Sequence, residues 1–233
     1  MTAAPAAGFP RFRPVADRAL LVEFGETVAK ESHDRVIGLD AALAADPFDG
    51  FTEAVPAYAS LLVCFDPVVT DHRGVEDRVS ALIARGAAVA AQGALREVEV
   101  CYDADLAPDL AAVAEASGLT PEEVVAAHLR GDYGVSMYGF APGCAYLAGV
   151  PEEIRLPRKQ AAIRGVPAGS VIIAGPQCLV TTLTMPTGWW IIGRSPTRIL
   201  RNDRPDRPFL FDVGDRVRFR RIPRDEFEAG ARG

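Results

Sequence analysis

The residues of this 233-residue chain best suited to chemistry are three arginines, a histidine and a run of glycines and prolines. Arg158, Arg164 and Arg194 carry planar guanidinium groups whose forked donors match carboxylate and phosphate. Arg158, Lys159 and Arg164 precede Gly165-Val166-Pro167-Ala168-Gly169-Ser170, and Arg194 follows the apolar run 189–193 beside Ser195-Pro196. Each arginine has two readings, ligand contact or solvated surface charge. His128 falls at the end of an expected helix, where an imidazolium is stabilised by the helix dipole, so it reads as a cap or as a proton carrier. The segment Tyr138-Gly139-Phe140-Ala141-Pro142-Gly143 joins aromatic rings to turn formers. Its glycines would let backbone N–H groups approach an anion, or would simply turn the corners of a barrel. Trp189 and Trp190 straddle a strand, one expected in the core and the other open to contact, and Gln177 at a strand edge would bind an amide or cap its turn.

The elements that must position these residues fall into two halves. In the first, residues 18–24 and 55–65 read as apolar strands, and 28–45 and 72–85 as helices with Val36, Leu39, Leu43 and Val75, Val79, Leu82 on their buried faces. Residues 95–102 alternate, with Val98 and Val100 inward. This βαβαβ order predicts a small α/β domain over residues 1–92, joined through the Ala/Gly-rich stretch 86–94 to a second domain over 93–233. The second domain opens with two short helices. Thr120-Pro121-Glu122-Glu123 is a strong helix start, with threonine as N-cap, proline at N1 and glutamate closing a capping box, and the helix runs to about His128. Short strands at 171–174, 179–183, 189–192 and 216–222, separated by Gly and Pro, predict a closed or nearly closed β-barrel.

Composition narrows the function classes. Hydrophobic residues make up 49% and charged residues 24%, as in globular proteins, and no run approaches the ~20 apolar residues of a membrane helix. The net charge of −6 disfavours non-specific nucleic-acid binding. Charge is uneven: from Arg194 onward 11 arginines face 7 acidic residues, a basic tail that is either a solvated sheet face or a meeting place for an anionic partner. Cys64, Cys101, Cys144 and Cys178 are far apart and the three histidines are scattered, so no metal site is expected and a reducing cytoplasm fits. Residues 1–12 lack the basic and apolar regions of a secretory signal. With two lysines and no GxxxxGK[ST], the chain has no classical P-loop, and GxSxG, HExxH and GxGxxG are absent too.

The string Gly139-Phe140-Ala141-Pro142-Gly143-Cys144-Ala145-Tyr146-Leu147 resembles the GF-x-PGF-x-YL signature of the 5-oxoprolinase B-subunit family, also known as KipI or allophanate hydrolase subunit 1. Further matches follow in order: Pro157-Arg158, Val166-Pro167-Ala168-Gly169-Ser170-Val171, Ala174-Gly175 with Gln177, Gly188-Trp189, Ile192-Gly193-Arg194-Ser195-Pro196 and the closing Gly214-Asp215-Arg216-Val217-Arg218-Phe219. The resemblance covers residues 12–223. It implies an α+β protein, a small α/β N-terminal domain followed by a cyclophilin-like β-barrel. It also implies a heteromeric enzyme. The expected partners are a C subunit of the KipA or allophanate hydrolase subunit 2 type and an A subunit of the LamB/YcsF type. Together they would open 5-oxoproline to glutamate, with ATP and Mg2+ at the level of the complex. Two other functions stay open: one component of an allophanate or urea carboxyltransferase, and an inhibitor of a sensor histidine kinase. On this reading Arg158 and Arg194 bind carboxylate or phosphate, Gln177 orients the amide and His128 carries a proton. Gly139, Phe140, Pro142, Gly143, Tyr146, Arg164, Ser170 and Trp189 complete the site. The family usually has phenylalanine where Cys144 stands, Pro-Arg at Ala162-Ile163, a basic residue at Gly165 and Tyr-Pro at Thr181-Thr182.

Overall fold

The computed structural model describes residues 8–86, 93–201 and 203–232. The expected link 86–94 therefore lies largely outside the described residues, as do residues 1–7 of the chain start. The chain divides into two compact units, residues 1–92 and 93–233.

The first unit is a four-stranded antiparallel sheet with two helices. Its elements are β1 (Arg11–Val15), β2 (Ala19–Glu23), α1 (Lys30–Ala45), β3 (Phe51–Pro56), β4 (Ser60–Phe65) and α2 (His72–Ala84), with strand order β1-β2-β4-β3. The βαβαβ expectation is corrected here in two places. Residues 55–65 are not one strand: the chain reverses at Ala57, whose N–H donates to Ser60 O at 2.9 Å, making a β3–β4 hairpin from a turn that contains no glycine. Strand β1 is additional; it tolerates Pro14 because it lies at the sheet edge. The helices bury the six residues their spacing singled out, Val36, Leu39, Leu43, Val75, Val79 and Leu82, against Leu20, Val22, Leu61 and Val63. Asp71 caps α2 by accepting from Gly74 N at 2.8 Å.

The second unit is built on a seven-stranded, nearly closed sheet. Its elements are β5 (Leu95–Val100), α3 (Leu110–Ser117), α4 (Pro121–Arg130), β6 (Tyr133–Tyr138), β7 (Ala145–Ala148), β8 (Ile163–Val166), β9 (Ser170–Ala174), β10 (Gln177–Val180), β11 (Met185–Thr187), β12 (Trp190–Arg194), β13 (Arg216–Arg221) and α5 (Arg224–Arg232). The sheet order is β12-β9-β10-β7-β6-β13-β5. Strand β5 thus belongs to this unit, parallel to β13, with Val98 opposite Phe219. The two end strands meet at a single bridge: Cys101 N donates to Arg194 O at 2.8 Å and Arg194 N to Cys101 O at 2.9 Å. That bridge joins the edges and removes a template for aggregation.

Two packed layers serve this sheet. Inside, Val100, Leu147, Ile173, Val180, Ile192 and Phe219 meet the apolar face of α3 and α4. The capping box of α4 is complete, with Thr120 and Glu123 exchanging side-chain-to-backbone bonds. Outside, Cys144, Ile172, Leu179, Trp189 and Ile191 form a second cluster with Val166 and Met185 of the separate two-stranded β8–β11 sheet. Buried Asp215 ties the sheet's other end: it accepts from Ala94 N and Arg96 Nε, both at 2.8 Å, and from Asp212 N at 3.0 Å. Among the described residues, no helix is long and apolar enough to cross a membrane.

Candidate functional site

The outer cluster carries the most promising surface. Residues 139–144 join β6 to β7 in a tight loop. Ala141 N donates to Gly139 O at 2.9 Å, which makes Phe140 the centre of a three-residue turn at φ +70. A non-glycine residue in this region is strained, and Phe140 nonetheless holds its ring 70% exposed. Gly143 stands at φ +73, and a Cβ there would lie 3.3 Å from Phe209 and Thr182. Gly139 N and Cys144 N also donate within the loop, to Cys144 O and Ala141 O, so the Gly139 amide, one of those expected to face an anion, is spent internally. What the loop forms instead is an open aromatic depression of about 360 Å3, lined by Tyr138, residues 139–143 and Phe209. Tyr138 and Phe209 stack at 5.3 Å, and the Tyr138 hydroxyl donates to Phe211 O at 2.6 Å.

Beside this loop lies the arginine site. Ala141 and Tyr146 pack on the same outer cluster as Trp189. The Arg158 guanidinium lies 5.4 Å over the Trp189 ring, and Tyr146 meets that ring edge-on at 5.8 Å. Stacking on an indole face leaves the N–H edge of an arginine free for a planar anion. Burial pushes the Tyr146 phenol up, against the pull of Arg158, so its hydroxyl stays a donor at neutral pH. Arg164 is exposed on β8. Neither Arg158 nor Arg164 has an acidic partner among the described residues, whereas ten other arginines do.

The other expected site residues lie elsewhere. Arg194 ends β12, five residues beyond Trp189 and therefore about 16 Å along the strand; its backbone closes the barrel and its Nε donates to Ala168 O at 3.3 Å. Ser170 is buried and its hydroxyl donates to Pro167 O at 2.8 Å, so it holds a turn rather than presenting a hydroxyl to ligand. Gln177 opens β10 opposite Ala148 and Ala174, half-buried. Of the tryptophans, Trp189 is buried in the outer cluster and Trp190, half-buried, packs on the inner core.

His128 is the clearest correction. Its ring is fully buried against Phe219, Tyr133 and Tyr102, with Nδ1 2.7 Å from the Tyr102 hydroxyl and Nε2 3.6 Å from Cys178 Sγ. Burial lowers its pKa to about 3, so it is a neutral core residue and not a charged cap. A proton carrier needs reach to substrate, and none of these partners lines the depression or touches Trp189. Burial likewise pushes the Cys178 thiol and the Tyr102 phenol up.

Two departures from the family pattern touch each other: Cys144 Sγ lies 3.3 Å from Thr182 Oγ1, which donates to Pro142 O at 2.7 Å and pins the loop. Thr181 is also used, donating to Pro167 O and accepting from Ser170 N. Asp109 joins the site without any periodicity or motif in the sequence to announce it. Its carboxylate is half-buried in an ion pair with Lys159 and accepts from Ile191 N at 2.7 Å. Among the described residues no three His, Cys, Asp or Glu side chains gather as a metal-holding group.

The second unit is thus a nearly closed seven-stranded sheet whose outer face carries an arginine over a tryptophan. The chain belongs to the family described as carboxyltransferase domain, subdomain C and D, which it matches over residues 10–211. It is 36% identical over 229 residues to the 5-oxoprolinase B subunit of Bacillus subtilis strain 168, covering 92% of this chain and 94% of that one. The crystal structure of TTHA0988 superposes with a TM-score of 0.77 at 36% identity, over 89% of this chain and 40% of that chain. This chain therefore spans about two-fifths of that longer protein. The urea amidolyase of K. lactis shares the fold, with a TM-score of 0.73 at 17% identity over 94% of this chain and 15% of the other.

Proposed function

We propose that this chain is the B subunit of a cytoplasmic complex that opens 5-oxoproline to glutamate with ATP, together with its A and C partners. The observation that carries this reading is the Arg158 guanidinium on Trp189, flanked by Tyr146 and without an acidic partner among the described residues. 5-Oxoproline is a flat lactam bearing one carboxylate. Arg158 takes the carboxylate through its free N–H edge, the Tyr146 hydroxyl adds a donor, and the aromatic depression beside the loop accepts the ring face. A lactam carbonyl is a poor electrophile; phosphorylation of its oxygen by ATP creates a leaving group, and the overall reaction consumes ATP and two waters to give glutamate, ADP and phosphate. This chain's residues bind and orient the lactam, while nucleotide and Mg2+ belong to the complex. The relatives named as B subunits of 5-oxoprolinase support this substrate.

The test is to co-express the chain with its A and C counterparts and to follow ADP release with 5-oxoproline, allophanate or urea. ADP release that depends on 5-oxoproline, with glutamate formed, is the expected result. Turnover of allophanate or urea alone would replace it with the carboxyltransferase reading that the family description also fits. Silence of a stable complex toward all three would remove both.

A further inference from the structure

We infer that Asp109 and Lys159 form a latch that positions Arg158 on Trp189, and are positioning residues for carboxylate recognition at that site. The latch rests on the reading of Arg158 as the carboxylate ligand. Arg158 sits in a short exposed segment before β8, where a long side chain would ordinarily sample many rotamers, each costing free energy to fix on binding. Here the residues on both sides of it are tied to the start of β12. Trp190 Nε1 donates to Pro157 O at 2.8 Å, and Lys159 N donates to Gly188 O at 2.7 Å. The Lys159 side chain then crosses the Trp190 ring, with Nζ 5.3 Å from its centroid, to reach Asp109. The lysine and aspartate side chains are only 15% and 17% exposed.

Asp109 carries the most telling detail. It stands at the N-cap of α3, where an aspartate normally accepts from its own helix, yet it makes no side-chain cap bond. Its Oδ2 instead accepts from Ile191 N at 2.7 Å and from Lys159, while its own N–H donates to Ile191 O at 3.0 Å. A helix start thus gives up local capping in order to hold the open edge of β12 and, through Lys159, the segment bearing Arg158. Successive tryptophans serve the two sides of the strand. Trp190 seats the latch on the inner side, and Trp189 seats the guanidinium on the outer side. A one-ångström shift of the segment is enough to spoil a bidentate contact.

The experiment reads Arg158 directly. Its side-chain protons, assigned by comparison with Arg158→Lys, should carry an upfield ring-current shift from Trp189 in the NMR spectrum of the wild-type chain. In Lys159→Met and Asp109→Asn these signals should move to random-coil positions while those of Arg164 stay put, and Lys159→Arg should retain them. In the reconstituted complex, the two disruptive variants should raise the KM for 5-oxoproline about tenfold with kcat within about twofold, and Lys159→Arg should restore it. Trp190→Phe, which keeps the ring and loses the donor to Pro157, takes the place of any variant that does not fold. Unmoved Arg158 signals in folded variants would overturn the latch, as would collapsed signals with an unchanged KM. A complex inert toward 5-oxoproline, in which the Arg158 signals still move as expected, would sink the substrate reading and leave the latch standing.

Discussion

Two sets of arginines in the second unit look alike in sequence and differ completely in what surrounds them. On β13 and α5, Arg216 pairs with Asp132 at 3.0 Å, Arg220 with Glu97 and Glu99, Arg221 with Glu122, and Arg224 with Asp105 at 2.8 Å. Their charges are matched by carboxylates of β5, α4, the α4–β6 turn and the loop before α3. These four arginines are therefore charge-balanced on the surface. On the outer face near β12, Arg158 and Arg164 have no such partners among the described residues, and Arg158 is held by an indole and a flanking latch instead. Clustering of arginines along the chain is thus a poor guide to anion binding. The absence of a nearby carboxylate, together with a scaffold that fixes the guanidinium, is the better one.

The largest effect tests an arginine that is spent on structure. Arg96 and two backbone amides converge on Asp215, which is buried. Asp215→Ala should lower stability by about 3–5 kcal/mol, read from denaturant unfolding, because it strands Arg96 and both amides. A cost below about 1 kcal/mol would mean that this junction is dispensable. Next comes Arg158→Ala, which should lower kcat/KM for 5-oxoproline about 100-fold in the complex, or about 2.8 kcal/mol at about 1.4 kcal/mol per tenfold, with unfolding unchanged. Arg194→Ala sharpens the contrast, since it keeps the backbone bridge to Cys101 and removes only the side-chain bond to Ala168 O; full activity would confine the anion site to the Arg158 end of β12.

The buried His128 extends the contrast inward. Its folded pKa of about 3 lies below the unfolded value near 6.5, so between those limits the unfolded chain binds a proton that the native state refuses. Stability should therefore fall as pH drops below about 6.5, by at most about 1.4 kcal/mol per unit, and His128→Gln should flatten that slope. An unchanged slope in the variant would assign the acid sensitivity to other groups. The smallest effect is expected for Arg220→Ala: exposed and paired on the surface, it should leave both activity and the melting curve at wild-type values. A loss of activity there would reopen the tail as a partner site.

Much of this protein was legible in its residues. Helical spacing identified the six buried residues of α1 and α2, the capping box located the start of α4, and the alternation of Val217 and Phe219 with Arg216, Arg218 and Arg220 located β13 and its buried face. The ordered Gly-Pro motifs pointed to the family. These signals are local, resting on periodicity and turn chemistry within a few residues. The β3–β4 reversal escaped because its turn residues, alanines and a tyrosine, carry no glycine and the Pro56 beside them lies inside an apolar run. Long-range relations escaped for a different reason. Which arginines meet carboxylates, the burial of His128 under Phe219, the turning of Asp109 away from its own helix, and the closure of the sheet between Cys101 and Arg194 all join residues far apart in the chain. Residue types set what each side chain is able to do, and the tertiary structure decided which capacities were spent on folding and which were left for a ligand.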